Sequence, residues 1–445
     1  MSNPSPAELK RIFDQQKNHQ WTIKATTAAQ RKQKLQKFKD AVQANADGIR
    51  RALATDLRKP ASEAEAEIAV VIGDIDEAIA HLDEWMKPVQ IESSPQLAGT
   101  KATMVYEPRG VCLVFGAWNF PFLLLLQPLV PAIAAGNCVI AKPNEMAPAT
   151  SAISAKVLRE AFDEREVAVV EGGIELANAL LELPFDHIFF TGSPKVGRAV
   201  MAAAAKHLTS VTLELGGKCP AVVDRASDLP LAAATIAAGR CFNAGQVCLC
   251  PDIAWVREEL ADEFVKQASA FIEGTYYAEG KLNKQAFARI VDKRNFERVK
   301  GYLDDATKRG ANVAYGGKTE ADDLTIHPTI LRAVPLDATI MKEEVFGPLL
   351  TVATYRDIND ITAFMRRGGK PLAMYVFSTD QAFIDRMMLE TSSGGVTVNG
   401  WATHFFESRL PFGGVNESGI GRYHGIHGFK ELSHERAMLS VPAAA

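Results

Sequence analysis

Asn243-Ala-Gly-Gln-Val-Cys248 carries a thiol on a run of small residues, and Glu214-Leu-Gly-Gly-Lys218 supplies a carboxylate upstream of it. A thiolate attacks a carbonyl carbon, and a carboxylate can deprotonate the water that hydrolyses the resulting thioester. A lone cysteine says little, because most free cysteines are buried and inert. Two such strings in this order point to covalent chemistry with Cys248 as nucleophile and Glu214 as base. A glutamate at its ordinary pKa of about 4.3 is a weak base, so a raised pKa or a mobile side chain is expected of Glu214.

Three further strings could hold a nucleotide. Phe190-Thr-Gly-Ser-Pro-Lys-Val-Gly197 follows an apolar run and opens a helix. Gly192 and Gly197 there would let backbone approach a pyrophosphate at the helix N-terminus. The spacing is not G-x-G-x-x-G, so a tight turn is the competing reading. Lys142-Pro-Asn-Glu145 places a lysine and a glutamate at a strand's carboxyl end, where ribose hydroxyls can be bound; a solvated surface loop is the alternative. Glu343-Glu-Val-Phe-Gly-Pro348 offers an acid for a second ribose and a ring, Phe346, for a nicotinamide, although a single phenylalanine is more often core.

These groups need rigid elements behind them. Residues 5 to 88 read as helices: Leu35, Phe38, Val42, Ile49 and Leu53 recur at helical spacing, and Ser62-Glu-Ala-Glu65 looks like a capping box opening a helix toward Trp85. The charges of these helices are expected to be solvated. From Val111 onward, short apolar runs alternate with helical segments: 111–115, 138–141, 167–170 and 187–190. A second series follows at 221–223, 253–256, 350–354, 374–377 and 396–398. This is βαβ texture, implying an α/β fold of two doubly wound open-sheet lobes. Val89 to Tyr106 lacks helical periodicity and reads as an extended hairpin.

At 445 residues the chain exceeds what one core usually supports. With 47% hydrophobic residues, 23% charged residues and a net charge of -4, it resembles an ordinary soluble protein with no basic field for nucleic acid or anionic lipid. The uncharged stretch between Arg109 and Lys142 is broken by Pro121, Pro128, Pro131 and Gly136, short of the roughly 20 continuous apolar residues a membrane helix needs. Two buried strands around a short helix explain it better, and no membrane anchor is expected. Six cysteines without a dense framework, and no signal-like start, fit a reducing, cytoplasmic setting. Cys248 and Cys250 form a Cys-x-Cys with no second pair, so no metal is expected; a strained disulfide between them is conceivable.

Taken together with Gly116-Ala-Trp-Asn-Phe-Pro121 and Leu410-Pro-Phe-Gly-Gly414, these strings occur in the order found in the aldehyde dehydrogenase superfamily, which the chain resembles. The ending Ser418-Gly-Ile-Gly-Arg-Tyr-His-Gly425 is similar to the class 3 branch of fatty, aromatic and coniferyl-type enzymes. Asn416-Glu417 departs from the small pair common in relatives, with no consequence attached. The resemblance implies NAD(P)-dependent oxidation of an aldehyde through a thiohemiacetal and a thioester, with water as acceptor. It makes Cys248, Glu214 and Asn119 catalytic, the Asn119 amide joining the Cys248 N–H as oxyanion donors. It assigns NAD or NADP to Trp118, Lys142, Glu145, Thr191, Gly192, Ser193, Gly197, Leu215, Gly216, Glu344 and Phe346; Glu145 should repel a 2′-phosphate, yet class 3 enzymes with an acid there can accept both cofactors.

Phe120, Leu123, Trp401, Phe406 and Phe412 are the expected walls of an apolar funnel, favouring medium- or long-chain or aromatic aldehydes; some of these side chains are expected to be core instead. The implied organisation is a cofactor lobe (1–88 and 107–213), a catalytic lobe (214–431) and an oligomerisation element (89–106 and 432–445). The resemblance also implies a homodimer, with the hairpin and the C-terminal segment extending a sheet between subunits. Two other classes compete. A coenzyme A-acylating enzyme typically lacks the glutamate base, and a silent structural relative has usually lost a catalytic residue; Cys248, Glu214 and Asn119 are all present.

Overall fold

The computed structural model describes residues 4–442; the ends of the expected cofactor lobe (1–3) and oligomerisation element (443–445) lie outside the described residues. Four helices open the chain, Pro6–Lys24, Ala28–Ala44, Ala46–Leu57 and Ala61–Trp85. Leu35, Phe38, Val42, Ile49 and Leu53 are all fully buried, as their spacing requires. The capping box expected at Ser62 is absent. Pro60 precedes that helix without a side-chain cap, and the box forms at Thr27 and Gln30 instead. Pro60 already sets an extended entry, so Ser62 falls inside the first turn.

Six strands form the first sheet, in the spatial order Gly419–Ile420, Ser210–Glu214, His187–Thr191, Val111–Phe115, Cys138–Lys142 and Val167–Val169. All neighbours are parallel except Gly419–Ile420, which runs antiparallel beside Glu214. From Val111–Phe115 the chain first builds outward through two strands, then returns to add His187–Thr191 on the other side. That reversal opens a crevice at the carboxyl ends of Val111–Phe115 and His187–Thr191, the place where open sheets receive ligands.

The second sheet has seven strands, ordered Asn312–Tyr315, Thr329–Arg332, Leu349–Tyr355, Ile253–Arg257, Pro220–Val223, Ala373–Phe377 and Gly395–Val398. Only its first pair is antiparallel. A third, three-stranded sheet joins Val89–Ile91, Lys101–Pro108 and Ser433–Ser440. The hairpin is therefore real, but the C-terminal strand pairs with it inside one chain, with Lys101 opposite Ser440 and Pro108 opposite Ser433. This corrects the expectation that hairpin and C-terminal segment meet across subunits. One long edge of Ser433–Ser440 stays open and carries Met438 and Leu439 exposed.

Candidate active site

The cofactor strings converge on the crevice of the first sheet. Thr191 ends its strand with a buried hydroxyl that has no partner among the described residues. Ser193 caps the 12-residue helix Pro194–Ala205, accepting from Val196 N at 3.4 Å and leaving the helix's first N–H groups beside Thr191. Gly197 has a different task from the one its spacing suggested. A Cβ there would stand 2.9 Å from Leu215 Cδ2, so the glycine lets the helix pack closely on the residue after Glu214. Lys142 ends the strand on the other side of Val111–Phe115, with its side chain buried and paired to the half-exposed Glu145. Trp118 and Phe346 meet edge to face, 5.3 Å between centroids. An unpartnered hydroxyl, a helix N-terminus, a buried ammonium with a carboxylate, and an aromatic wall fit the phosphates, ribose and ring of a dinucleotide.

Cys248 lies at the junction of the two large sheets, partly exposed, on a segment whose backbone is strained. Asn243 (φ 48°) and Ala244 (φ 51°) both adopt the left-handed region, which costs a non-glycine residue roughly 1–2 kcal/mol. Gly245 follows at φ 73°, and a Cβ there would collide with the Gly347 carbonyl. Side chains hold this path: Gln246 accepts from Val291 N at 3.0 Å and donates to the carbonyls of Asn243 (2.9 Å) and Arg289 (3.0 Å). The Cys219 thiol donates to the Cys248 carbonyl at 3.3 Å. Burial pushes the Cys248 thiol well up, and the carboxylates of Glu344 and Glu214 push the same way, while the N–H groups of Cys248 and Leu249 oppose them.

All six cysteines are free, and Cys250 donates its thiol to the Gly239 carbonyl at 3.0 Å. Among the described residues no cluster of three or more His, Cys, Asp or Glu could hold a metal.

Asn119 follows the strand Val111–Phe115 and is buried. Its Nδ2 donates to the Gln246 carbonyl at 3.0 Å, two residues before Cys248, which leaves a second amide hydrogen on the same nitrogen. Glu214 ends its strand buried, and neither carboxylate oxygen has a hydrogen-bond partner among the described residues. Burial raises its pKa well above the ordinary value, with Arg422 opposing and Glu431 reinforcing. Glu344 lies over Gly216, where a Cβ would run into its carboxylate, and burial raises its pKa to about 8.

The expected funnel walls do not share one environment. Phe120 and Trp401 both pack on Phe242, at 6.1 and 5.6 Å, and Trp401 donates its indole N–H to the Leu249 carbonyl. Leu123 is buried, and Phe406 is 61% exposed. Phe412 is buried among Phe405, Tyr423 and His424, so it backs the wall rather than lining it.

One set of residues was not foreseen. Lys59 is fully buried, pairs with the buried Glu67, and donates to the Asn119 carbonyl at 3.0 Å. Glu67 accepts from Leu123 N at 3.0 Å, and both oxygens of Glu63 face Asn243 N at 3.1 and 3.2 Å. The expectation that these charges are solvated is therefore wrong for Lys59, Glu63 and Glu67. The signal was present: Glu63 and Glu67 lie on the helical stripe of Ala64, Ile68, Val71 and Ile75, where a carboxylate must find a partner.

This arrangement defines an α/β enzyme with a cysteine nucleophile beside a dinucleotide crevice. A sequence model of the aldehyde dehydrogenase family matches residues 1–438. The chain is 40% identical to aldehyde dehydrogenase family 3 member H1 of Arabidopsis thaliana, over 97% of this chain and 88% of the relative. It is also 40% identical to the dimeric NADP-preferring aldehyde dehydrogenase of Rattus norvegicus, over 92% and 89%. The solved structure of the substrate-bound state of Staphylococcus aureus AldH superposes with a TM-score of 0.94 at 35% identity, covering 98% of this chain and 95% of that one. The chain belongs to the aldehyde dehydrogenase family, in its class 3-like branch. It is an oxidoreductase that uses NAD or NADP to oxidise an aldehyde.

Proposed function

We propose that the substrate is a hydrophobic aldehyde, aliphatic or aromatic, and that Cys248, Glu214 and Asn119 oxidise it to the acid. Cys248 passes its proton to solvent water and, as the thiolate, bonds to the carbonyl carbon, giving a thiohemiacetal. The free Asn119 amide hydrogen and the Cys248 N–H meet the oxyanion. NAD(P), when bound, supplies the hydride acceptor. Loss of hydride from the same carbon leaves a thioester on Cys248. Glu214, ionised, takes a proton from water; the hydroxide adds to the thioester carbon, the sulfur leaves, and the carboxylate is released.

Lys142 and Glu145 bind the adenosine ribose, with Thr191, Gly192 and Ser193 around the pyrophosphate. Glu344, Trp118, Phe346, Leu215 and Gly216 border the nicotinamide end, while Gly197 acts through packing. The observation that carries this reading is a buried, unpartnered Glu214 carboxylate close enough to raise the pKa of the Cys248 thiol, whose segment is tied to Asn119. Phe120, Leu123, Trp401 and Phe406 supply the apolar walls, which favour an apolar body. The lobes that go with this reading are 1–88 with 107–213 for the cofactor and 214–431 for catalysis.

The protein is further proposed to act as a cytoplasmic homodimer through the element 89–106 and 432–445. Six free thiols support the compartment and the open edge of Ser433–Ser440 supports the dimer; the rat relative is itself named dimeric. No helix among the described residues is long and apolar enough to cross a membrane.

The test is an aldehyde panel assayed with each nucleotide, using wild type, Cys248→Ala and Cys250→Ala. Wild type should prefer apolar aldehydes, Cys248→Ala should be inactive, and Cys250→Ala should keep most of its turnover. An active Cys248→Ala would end the nucleophile assignment.

A further inference from the structure

The helix Ala61–Trp85 is far in sequence from Cys248, yet its first two turns send two carboxylates to the segments that carry Asn119 and Asn243. Glu63 spans the N–H of Asn243, the first residue of the left-handed pair that leads to Cys248. Asn243 in turn donates through Nδ2 to the Asn119 carbonyl at 2.9 Å and to the Gln246 carbonyl at 3.2 Å. Asn119 also donates to Gln246, so the nucleophile's segment and the oxyanion donor share one set of hydrogen bonds, and Glu63 holds its outer end. A left-handed alanine following a left-handed asparagine persists only where its surroundings over-determine it. No other side-chain acceptor bonds the Asn243 N–H among the described residues.

We propose that Glu63 is a positioning residue for the aldehyde oxidation: its ionised carboxylate, by gripping the Asn243 N–H, fixes the left-handed turn that aligns Cys248 with the Asn119 amide. The inference rests on Cys248 being the nucleophile and Asn119 an oxyanion donor. A charged acceptor makes a shorter and stronger hydrogen bond than a neutral one, so the grip depends on the protonation state of Glu63. Burial raises its pKa to about 7, Lys59 and the Asn243 N–H oppose that rise, and Glu67 reinforces it. Lys59 precedes the helix and Glu67 lies one turn along it. From the other elements packed here, Cys241 on Leu229–Cys241 and Tyr276 on Ala261–Tyr276 stand nearby, both held neutral by burial. The group therefore changes charge within the range where the enzyme can be assayed.

Glu63→Gln keeps the shape and one acceptor oxygen but removes the charge. Well above neutrality its kcat should fall about tenfold with KM for aldehyde nearly unchanged, because alignment of Cys248 with the carbonyl is a transition-state requirement. Below neutrality wild type itself carries a neutral Glu63, so the ratio of variant to wild-type kcat should climb toward one; groups that titrate in both enzymes cancel from that ratio. Alkylation of Cys248 by iodoacetamide, followed by peptide mass spectrometry without nucleotide, should show the same convergence. Glu63→Asp, which keeps the charge, should retain a rate deficit that does not vanish in acid. A purely structural role predicts a lower melting temperature for Glu63→Gln with a pH-independent ratio, and a flat ratio would overturn the proposal. A parallel Cys248→Ala sample separates the two levels: if it is active, the nucleophile assignment has failed; if it is dead while the ratio is flat, only the role of Glu63 has.

Discussion

Glu214 sits at the end of its strand with no donor for either oxygen, an expensive way to keep a carboxylate unless the burial serves the chemistry. A raised pKa makes it a stronger base once ionised, so turnover limited by thioester hydrolysis should rise with pH as Glu214 loses its proton. Glu214→Gln cannot take that proton. It should release a burst of about one reduced nicotinamide per site and then nearly stop, visible by rapid-mixing absorbance; steady turnover at the wild-type rate would remove Glu214 from the mechanism. Stability carries the opposite sign. An acid whose folded pKa is raised contributes fully below its unfolded pKa, and that contribution is lost as pH rises through the folded value. Glu214→Gln should therefore melt above wild type in alkaline buffer, with the gap closing in acid.

At the scale of elements, the clearest lesson is how differently strands and helix faces could be read. The fully buried runs 111–115, 187–190 and 253–256 were visible because parallel strands covered on both faces are nearly continuous apolar runs. Ser210–Glu214 and Gly419–Ile420 were missed: the first alternates polar and apolar residues, and the second has two residues and exists only as a partner for the first. The strings around Glu214 and Cys248 stood out because their types and order are unusual. Lys59, Glu63 and Glu67 were not, because charges near a helix start are normally solvated and the loops they hold are distant in sequence. Lys59 gives a direct test. Replacing it with methionine strands Glu67 in a dry site, so the variant should lose about 3–5 kcal/mol in urea unfolding. Adding Glu67→Gln should recover part of that loss, while turnover stays low because the Asn119 carbonyl no longer has its ammonium donor.

For the whole molecule, two lobes were foreseeable from length and from two successive βαβ series, whereas the pairing of the third sheet was not. Nothing in the residues of Ser433–Ser440 says that they return to Lys101–Pro108 of their own chain rather than to a neighbour's. The open edge that results is a row of unpaired backbone groups beside exposed Met438 and Leu439, a surface that proteins seldom leave bare. Light scattering at micromolar concentration should therefore give twice the chain mass. A fully active monomer would refute the dimer.

The pairing of Lys101 with Ser440 also bears on the order in which the protein becomes itself during synthesis. The four N-terminal helices and the strands up to Glu214 can begin to condense while the ribosome is still making the second lobe, because their contacts are comparatively near in sequence. The last strand reaches the hairpin only after both large sheets have been translated, and contacts of such long separation form late. Until then Lys101–Pro108 has one side without its neighbour, so a truncated or stalled chain displays an unfinished ribbon. In a cell, that ribbon would distinguish incomplete molecules from finished ones, leaving them to chaperones and proteases before they could enter an assembly.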